Sequence, residues 1–312
     1  METMDTVLTL IATPAAPDET GGVSEAIVAE VMHTLNDQGG AQGVKTADPD
    51  WLAPTIACNI PCSGIENRPG MADAVRAALG AAAVDVACLP REGRRKRLLL
   101  ADMDSTIVTS ETLDELAAFA GLKDKVAAIT TRAMTGELDF EAALRERVLM
   151  LRGLSETALA DTLKRVELTA GAATLGRTMA AAGAHLVLIS GGFRYFTGPV
   201  RERAHFHADI SNDLEIRGGK LTGRLNRGPI VDKTVKRDSL ISIARRKDIP
   251  LADTMAVGDG ANDGPMIKTA GLGVAFRGKP VLARVADVNI LHSDLTALLY
   301  LQGYRAAEII NA

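Results

Sequence analysis

At 312 residues, 47% hydrophobic but only 3% aromatic, the chain can bury two packed modules, with alanine and glycine favouring close-packed helices and tight turns over an aromatic binding platform. A formal charge of −4 gives nucleic-acid binding no global support, and no window approaches the length of an uninterrupted apolar span. No N-terminal stretch reads as a secretion signal, and Cys58, Cys62 and Cys88 match no metal pattern, so the expected setting is cytoplasmic and reducing, without membrane or nucleic-acid partners.

Residues 1–90 read as a separate small module. "TVLTLIA" is a strand, "VSEAIVAEVMHTLNDQG" an amphipathic helix with Gly39 as its terminator, and "APTIACNI" a second strand. "MADAVRAALG" follows as a helix and "AAVDVACLP" as a strand ending at Pro90, an order that suits a βαββαβ split fold. The stretch "AQGVKTADPDWLAP" carries no clear period. Residues 91–97, "REGRRKR", read as a solvated basic linker at a domain boundary rather than a nucleic-acid or membrane patch.

The second domain is expected over residues 98–312, opening on the strand "LLLA". Four stretches between about 111 and 168, "ETLDELAAFAG", "KDKVAAITTRAM", "DFEAALRERVLMLRG" and "SETALADTLKRV", show period 3.6 and predict a helical insert, or cap. A helix over 171–182, the strand "HLVLIS", the helix "VKRDSLISIARRK" and the strands "TMAVGDG" and "LGVAF" then restore α/β alternation. That order predicts a mostly parallel sheet with helices on both sides.

Three of these strands end in reactive groups: Asp102 and Asp104 in "LLLADMD", Ser190 in "LVLIS" and Asp259 in "MAVGDG". In a parallel sheet those ends share one edge, where open α/β sheets place ligands. Asp102 and Asp104, two positions apart, lie on one strand face. Any one of these residues could be only a helix cap; three such strands together are harder to dismiss. Carboxylates around one point make a hard-cation site best suited to Mg2+. The Ser190 hydroxyl, the Gly191 and Gly192 amides and a lysine opening "KRDSLISIARR" suit phosphate. No G-x-x-x-x-G-K-[ST] sequence is present, and "GDGAND" lacks dinucleotide-loop spacing. His205 and His207 alternate as on a strand face without a third ligand and read as structural.

In this order, "DMDST", "SGGF", the lysine helix and "GDGAND" resemble the four motifs of the haloacid-dehalogenase superfamily. Over roughly residues 98–305 the chain is similar, more narrowly, to the phosphoserine phosphatases of that superfamily. The resemblance implies an α/β fold: a Rossmann-like parallel sheet with an inserted helical cap, preceded by a small α+β ACT-like domain. It implies that Asp102 is the nucleophile and Asp104 the general acid/base, with Mg2+ held by Asp102, a backbone oxygen of Asp104, and Asp259. Ser190, Gly191, Lys236 and Asn262 would then hold substrate, with Asp263 supporting the acidic loop; the family pattern selects Lys236 over Lys233. Glu111 would read an ammonium, Arg147 rather than Arg145 a carboxylate, and Met134 and Phe140 would line the pocket. The implied reaction is hydrolysis of O-phosphoserine through an aspartyl-phosphate, the last step of serine biosynthesis. Another small phosphomonoester as substrate, or a non-catalytic amino-acid sensor, are the competing readings. Gly264 departs from the family's apolar residue and questions the local helix. For the N-terminal module, an amino-acid effector, pairing into a homodimer and simple packing on the core all stay open.

Overall fold

In a computed structural model that describes residues 4–13, 22–38, 43–134 and 139–311, the first element is β1 (Thr6–Ile11), all six of whose residues are buried. It is followed by α1 (Glu25–Gln38), β2 (Lys45–Thr46), β3 (Asp50–Ala53), β4 (Ala57–Ser63), α2 (Arg68–Leu79) and β5 (Asp85–Pro90). β1 lies between β4 and β5, antiparallel to both, and β2 and β3 pair with β4. Strand alternation sorts the two faces. Leu8, Leu10, Ile60 and Val86 pack with Val31 and Leu35 of α1 and Val75 of α2. Val7, Ile11, Ala87 and Leu89 join the core of the second domain. A strand apolar on both faces needs covering on both, and here two different bodies cover it. Between β1 and β4, the unassigned stretch supplies two short strands that the sequence pattern did not mark. The three cysteines are buried core thiols; burial first, then a nearby charge, pushes Cys58 up to about 12.

The connecting residues 91–97 are not uniformly solvated. Lys96 is buried, its ammonium donating to the carbonyls of Gly93 and Ala252.

The second domain opens with β6 (Leu98–Ala101), followed by α3 (Thr112–Phe119), α4 (Lys123–Met134), α5 (Phe140–Met150), α6 (Glu156–Leu163), α7 (Ala172–Ala181), β7 (His185–Phe193), α8 (Arg194–Arg203) and β8 (Ala208–Asn212). A hairpin of β9 (Leu214–Arg217) and β10 (Lys220–Leu225) precedes α9 (Lys233–Arg246). Next are β11 (Thr254–Gly258), α10 (Gly264–Thr269), β12 (Leu272–Phe276), α11 (Pro280–Ala283), β13 (Val288–Ile290) and α12 (Ala297–Leu301). Six strands form one sheet in the order β13-β12-β11-β6-β7-β8, every neighbouring pair parallel. The leucine run of β6 serves both faces: Leu98 and Leu100 pack with α9 and α10, and Leu99 and Ala101 with the larger core.

The four amphipathic stretches of the sequence form α3 to α6. They are joined by the β9–β10 hairpin, because Gly153 and Leu154 exchange backbone hydrogen bonds with Leu221, and Glu156 donates to Gly219. No described helix is long and apolar enough to cross a membrane.

The two parts are fastened where Asp85, buried at the start of β5, accepts backbone hydrogen bonds from Leu291 (2.7 Å), His292 (3.2 Å) and Ser293 (2.7 Å). Asp85→Ala leaves these amides without an acceptor, and each buried one costs about 1–3 kcal/mol. We expect urea denaturation to show a loss in that range. Parent-like stability would mean that the amides are satisfied another way.

Candidate active site

The register of β6 builds the site. Ala101 stands opposite Leu188 of β7 and Val257 of β11, so the residues that follow all three strands emerge at one sheet edge. Asp102 leaves β6 there, buried, with its amide donating to the Val257 carbonyl. Its Oδ1 accepts the Met103 amide at 2.8 Å and meets the Lys236 ammonium at 2.7 Å. Among the described residues, Oδ2 accepts no hydrogen bond.

Lys236 lies in the first turns of α9, 1% exposed, and its Nζ is also 2.7 Å from Asp263 Oδ1. The second Asp263 oxygen accepts the Gly260 amide at 3.1 Å, so both its oxygens are engaged. Gly258 permits that approach, because a Cβ there would overlap the Asp263 carboxyl. Asp259 faces the same point: oxygens of Asp102, Asp259 and Asp263 lie within 4.8 Å of one another. Lys279, in the turn after β12, reaches Asp259 Oδ2 at 3.1 Å.

Burial raises the Asp102 carboxyl well above its ordinary range, the Asp263 charge adds to the rise, and Lys236 opposes it. Burial alone would lower Lys236, but the two carboxylates outweigh it and hold the ammonium above its usual value. With all three carboxylates ionised, buried Lys236 and the more exposed Lys279 leave the cluster one positive charge short. The all-oxygen donor set of Asp102, Asp259 and Asp263 fits a hard divalent cation.

Asp104 is set apart from this cluster. Its Oδ1 accepts the Thr112 amide at 2.8 Å and its Oδ2 the Ser190 hydroxyl at 3.1 Å, while Ser190 Oγ accepts the Gly192 amide at 2.8 Å. Burial raises the Asp104 carboxyl, against these hydrogen bonds, which favour the ionised form. A Cβ on Gly192 would stand 3.0 Å from both Asp104 Oδ2 and Ser190 Oγ, so glycine keeps this contact open. Ser105 adopts a left-handed conformation, φ 56°, at a cost of about 1–2 kcal/mol.

The cap supplies the remaining wall. Glu111 precedes α3 and accepts the Ser105 hydroxyl at 2.8 Å; desolvation and then the Asp104 charge raise its carboxyl. Phe140 opens α5 with its ring against Gly191, close enough to leave little room for a Cβ there. Arg147, in the last turn of α5, is half-buried, and among the described residues its Nε has no hydrogen-bond partner. Burial lowers its guanidinium, countered by the charges of Asp114 and Glu111. Arg145 pairs instead with Glu141 on the same helix, and with the exposed Lys233 it lines a cleft of about 680 Å³ outside the aspartate cluster. Asn262 lies half-buried in the turn before Asp263. Met134 ends α4, and its side chain lies outside the described residues. Gly264 occupies the first position of α10, where a Cβ would find only Leu282 at 4.0 Å; the helix forms with glycine at its end. Sequence reading missed Lys279 and the Thr112 amide. Lys279 follows a parallel strand whose end shares the same edge, so the topology that gathered the aspartates also points to it.

Residues 99–268, more than half of the chain, match the family model of haloacid dehalogenase-like hydrolases. A phosphoserine phosphatase of Archaeoglobus fulgidus is 46% identical over 205 residues, covering 66% of this chain and 59% of that protein. Phosphoserine phosphatase SerB2 of Mycobacterium tuberculosis is 45% identical over 216 residues, covering 69% and 53%. This chain therefore spans little more than half the length of these two relatives. The crystal structure of a HAD-family hydrolase from Salmonella enterica superposes with a TM-score of 0.79 at 27% identity, over 95% of this chain and 98% of that one.

Lys236→Met keeps the length of the side chain but leaves Asp102 and Asp263 buried without their shared cation. Removing one partner from a buried ion pair costs about 3–5 kcal/mol. Denaturation in the presence of a chelator should show that loss, and a divalent cation should recover part of it. Unchanged stability in the chelator would mean that the carboxylates are neutral.

Proposed function

The chain belongs to the haloacid dehalogenase-like hydrolase family, and from that premise we propose that it hydrolyses O-phosphoserine to serine and phosphate. The observation that carries the reading is the separation of two carboxyls two positions apart: buried Asp102 against Lys236, half-buried Asp104 against Ser190 and Thr112. One is placed to attack and the other to move a proton.

Asp102 Oδ2, free of hydrogen bonds, attacks phosphorus in line with the serine oxygen. As the phosphorus–oxygen ester bond breaks, Asp104, its carboxyl raised by burial, donates its proton to the departing oxygen. The resulting Asp104 carboxylate then takes a proton from water. The oxygen of that water attacks the aspartyl-phosphate, releasing phosphate and restoring Asp102. Lys236, Ser190 and the Gly191 amide offset charge on the transferring oxygens. Asp102, Asp259 and the backbone oxygen of Asp104 would hold Mg2+, which when bound supplies the missing positive charge and favours ionised Asp102. Asp263, both oxygens engaged, orients Lys236, and Asn262 beside it would contact the substrate.

For the amino-acid end, Arg147 offers a guanidinium with an unpartnered Nε to the carboxylate, and Glu111 a carboxylate to the ammonium. Met134 and Phe140 supply apolar wall. The reaction would complete serine biosynthesis in the cytoplasm, with the N-terminal sheet and its two helices as an ACT-like module.

Arg147→Lys keeps charge but removes the planar fork. Its kcat/KM for phosphoserine should fall by roughly 2 kcal/mol, about thirtyfold, if buried interface contacts are a guide. Phosphoethanolamine, which has the amine but no carboxylate, should be affected far less. Equal losses on the two substrates would assign Arg147 to the fold or to phosphate, and the phosphoserine reading would lose its recognition element.

A further inference from the structure

The junction between the N-terminal sheet and residues 302–305 forms an open cavity of about 360 Å³, at the lower end of the ~300–1,000 Å³ usual for small-molecule sites. Four arginines line it, Arg91, Arg94, Arg95 and Arg305, against one carboxylate, Asp50. Two of them are already matched. Arg305 holds Asp50 at 2.8 and 2.9 Å, and Arg95 holds Glu308 at 2.9 Å while lying 3.4 Å from the centre of the Tyr304 ring.

The other two are not. Arg94 binds only neutral acceptors: the carbonyls of Leu301 (2.8 Å) and Tyr300 (2.9 Å), Thr9 Oγ1 (3.1 Å) and Asn59 Oδ1 (3.4 Å). These bonds use Nε and Nη2; among the described residues Nη1 has no partner. Gly303, at φ 76°, keeps that side open, since a Cβ there would stand 3.3 Å from Nη1. Burial, followed by the Arg95 charge, pulls Arg94 down to about 10, which leaves it protonated at neutral pH. Arg91 is exposed and makes no side-chain hydrogen bond or ion pair among the described residues. Clamping the two parts together accounts for the bonds of Arg94 but not for its unused edge or for Arg91.

We propose that this cavity binds a phosphate group, free or carried on a small molecule. Two unmatched guanidinium groups balance a dianion, and the fork geometry suits paired hydrogen bonds to its oxygens. The site is distinct from the aspartate cluster and independent of the catalytic reading, because none of these arginines touches that cluster. Since Arg94 bonds both to β1 and β4 and to α12, a ligand on it would bear on how the two parts dock.

Trp51, the one tryptophan of the chain, lies between Asp50 and Leu52 of the cavity wall, and its carbonyl accepts from Arg305 at 3.1 Å. It is a local reporter. Inorganic phosphate titrated into the full chain, with sodium chloride matched at each point in a parallel sample, should change Trp51 emission saturably. Glycerol phosphate added to chelator-treated protein is the second arm; tighter saturation than by inorganic phosphate would identify a carried phosphate, weaker saturation a free one. Arg91→Gln should raise the half-saturation concentration about tenfold, as expected for losing one charged hydrogen-bond donor. Ser190→Ala should leave it unchanged. The proposal is overturned by no saturable change with either probe, by a chloride response of the same size, by an Arg91→Gln response equal to the parent's, or by loss of the response in Ser190→Ala.

Discussion

The Lys236 ammonium, 2.7 Å from both Asp102 and Asp263, is the contact on which the second domain depends. Two carboxylates buried side by side repel each other and lose their hydration, a cost of several kcal/mol per ion unless a cation and hydrogen bonds meet them. That demand fixes several elements at once. β6 must end beside β11 so that Asp102 and the loop carrying Asp259 and Asp263 emerge together. The α9 helix must pack under the sheet against α10, with Lys236 turned inward while its neighbours Lys233 and Asp238 stay exposed. The leucine run of β6, filling cores on both faces, anchors the strand that delivers the charge.

Placing the second carboxyl two residues further on gives it a different environment. Asp104 is held from the cap side by the Thr112 amide, at the first position of α3, and from the sheet side by Ser190. The position of this carboxyl therefore depends on how cap and sheet sit against each other. Phe140 on Gly191 is a further contact between the two, and within the cap the charge of Glu111 acts on Arg147. The groups that would carry chemistry belong to the sheet edge; those that would read a substrate belong to the cap.

Much of this was legible in the sequence because parallel sheets convert strand order into a shared edge. The strands ending at Asp102, Ser190 and Asp259 could be recognised separately, and topology does the rest. Helical periodicity likewise marked all four cap helices. What stayed hidden depends on contacts with no local pattern. Strands β2 and β3 are two and four residues long, too short to show an alternation. The β9–β10 hairpin joins the cap through backbone bonds to Gly153, Leu154 and Glu156, far from it in sequence. "REGRRKR" reads as a solvated charge run, yet Lys96 is buried against carbonyls and Arg94 bridges the two parts. A backbone donor such as the Thr112 amide has no residue signature at all, whereas Lys279 could have been reached by following β12 to its end.

The account rests on Asp102 as the atom that accepts the phosphoryl group. Rapid acid quench of the Mg2+-loaded enzyme during turnover of phosphoserine, followed by peptide mapping, should find the phosphoryl mass on the peptide region containing Asp102 and fragment to that residue. Its Asp102→Asn variant should yield none. Phosphorylation fragmenting to Asp104, or steady turnover by a folded Asp102→Asn enzyme, would contradict the account.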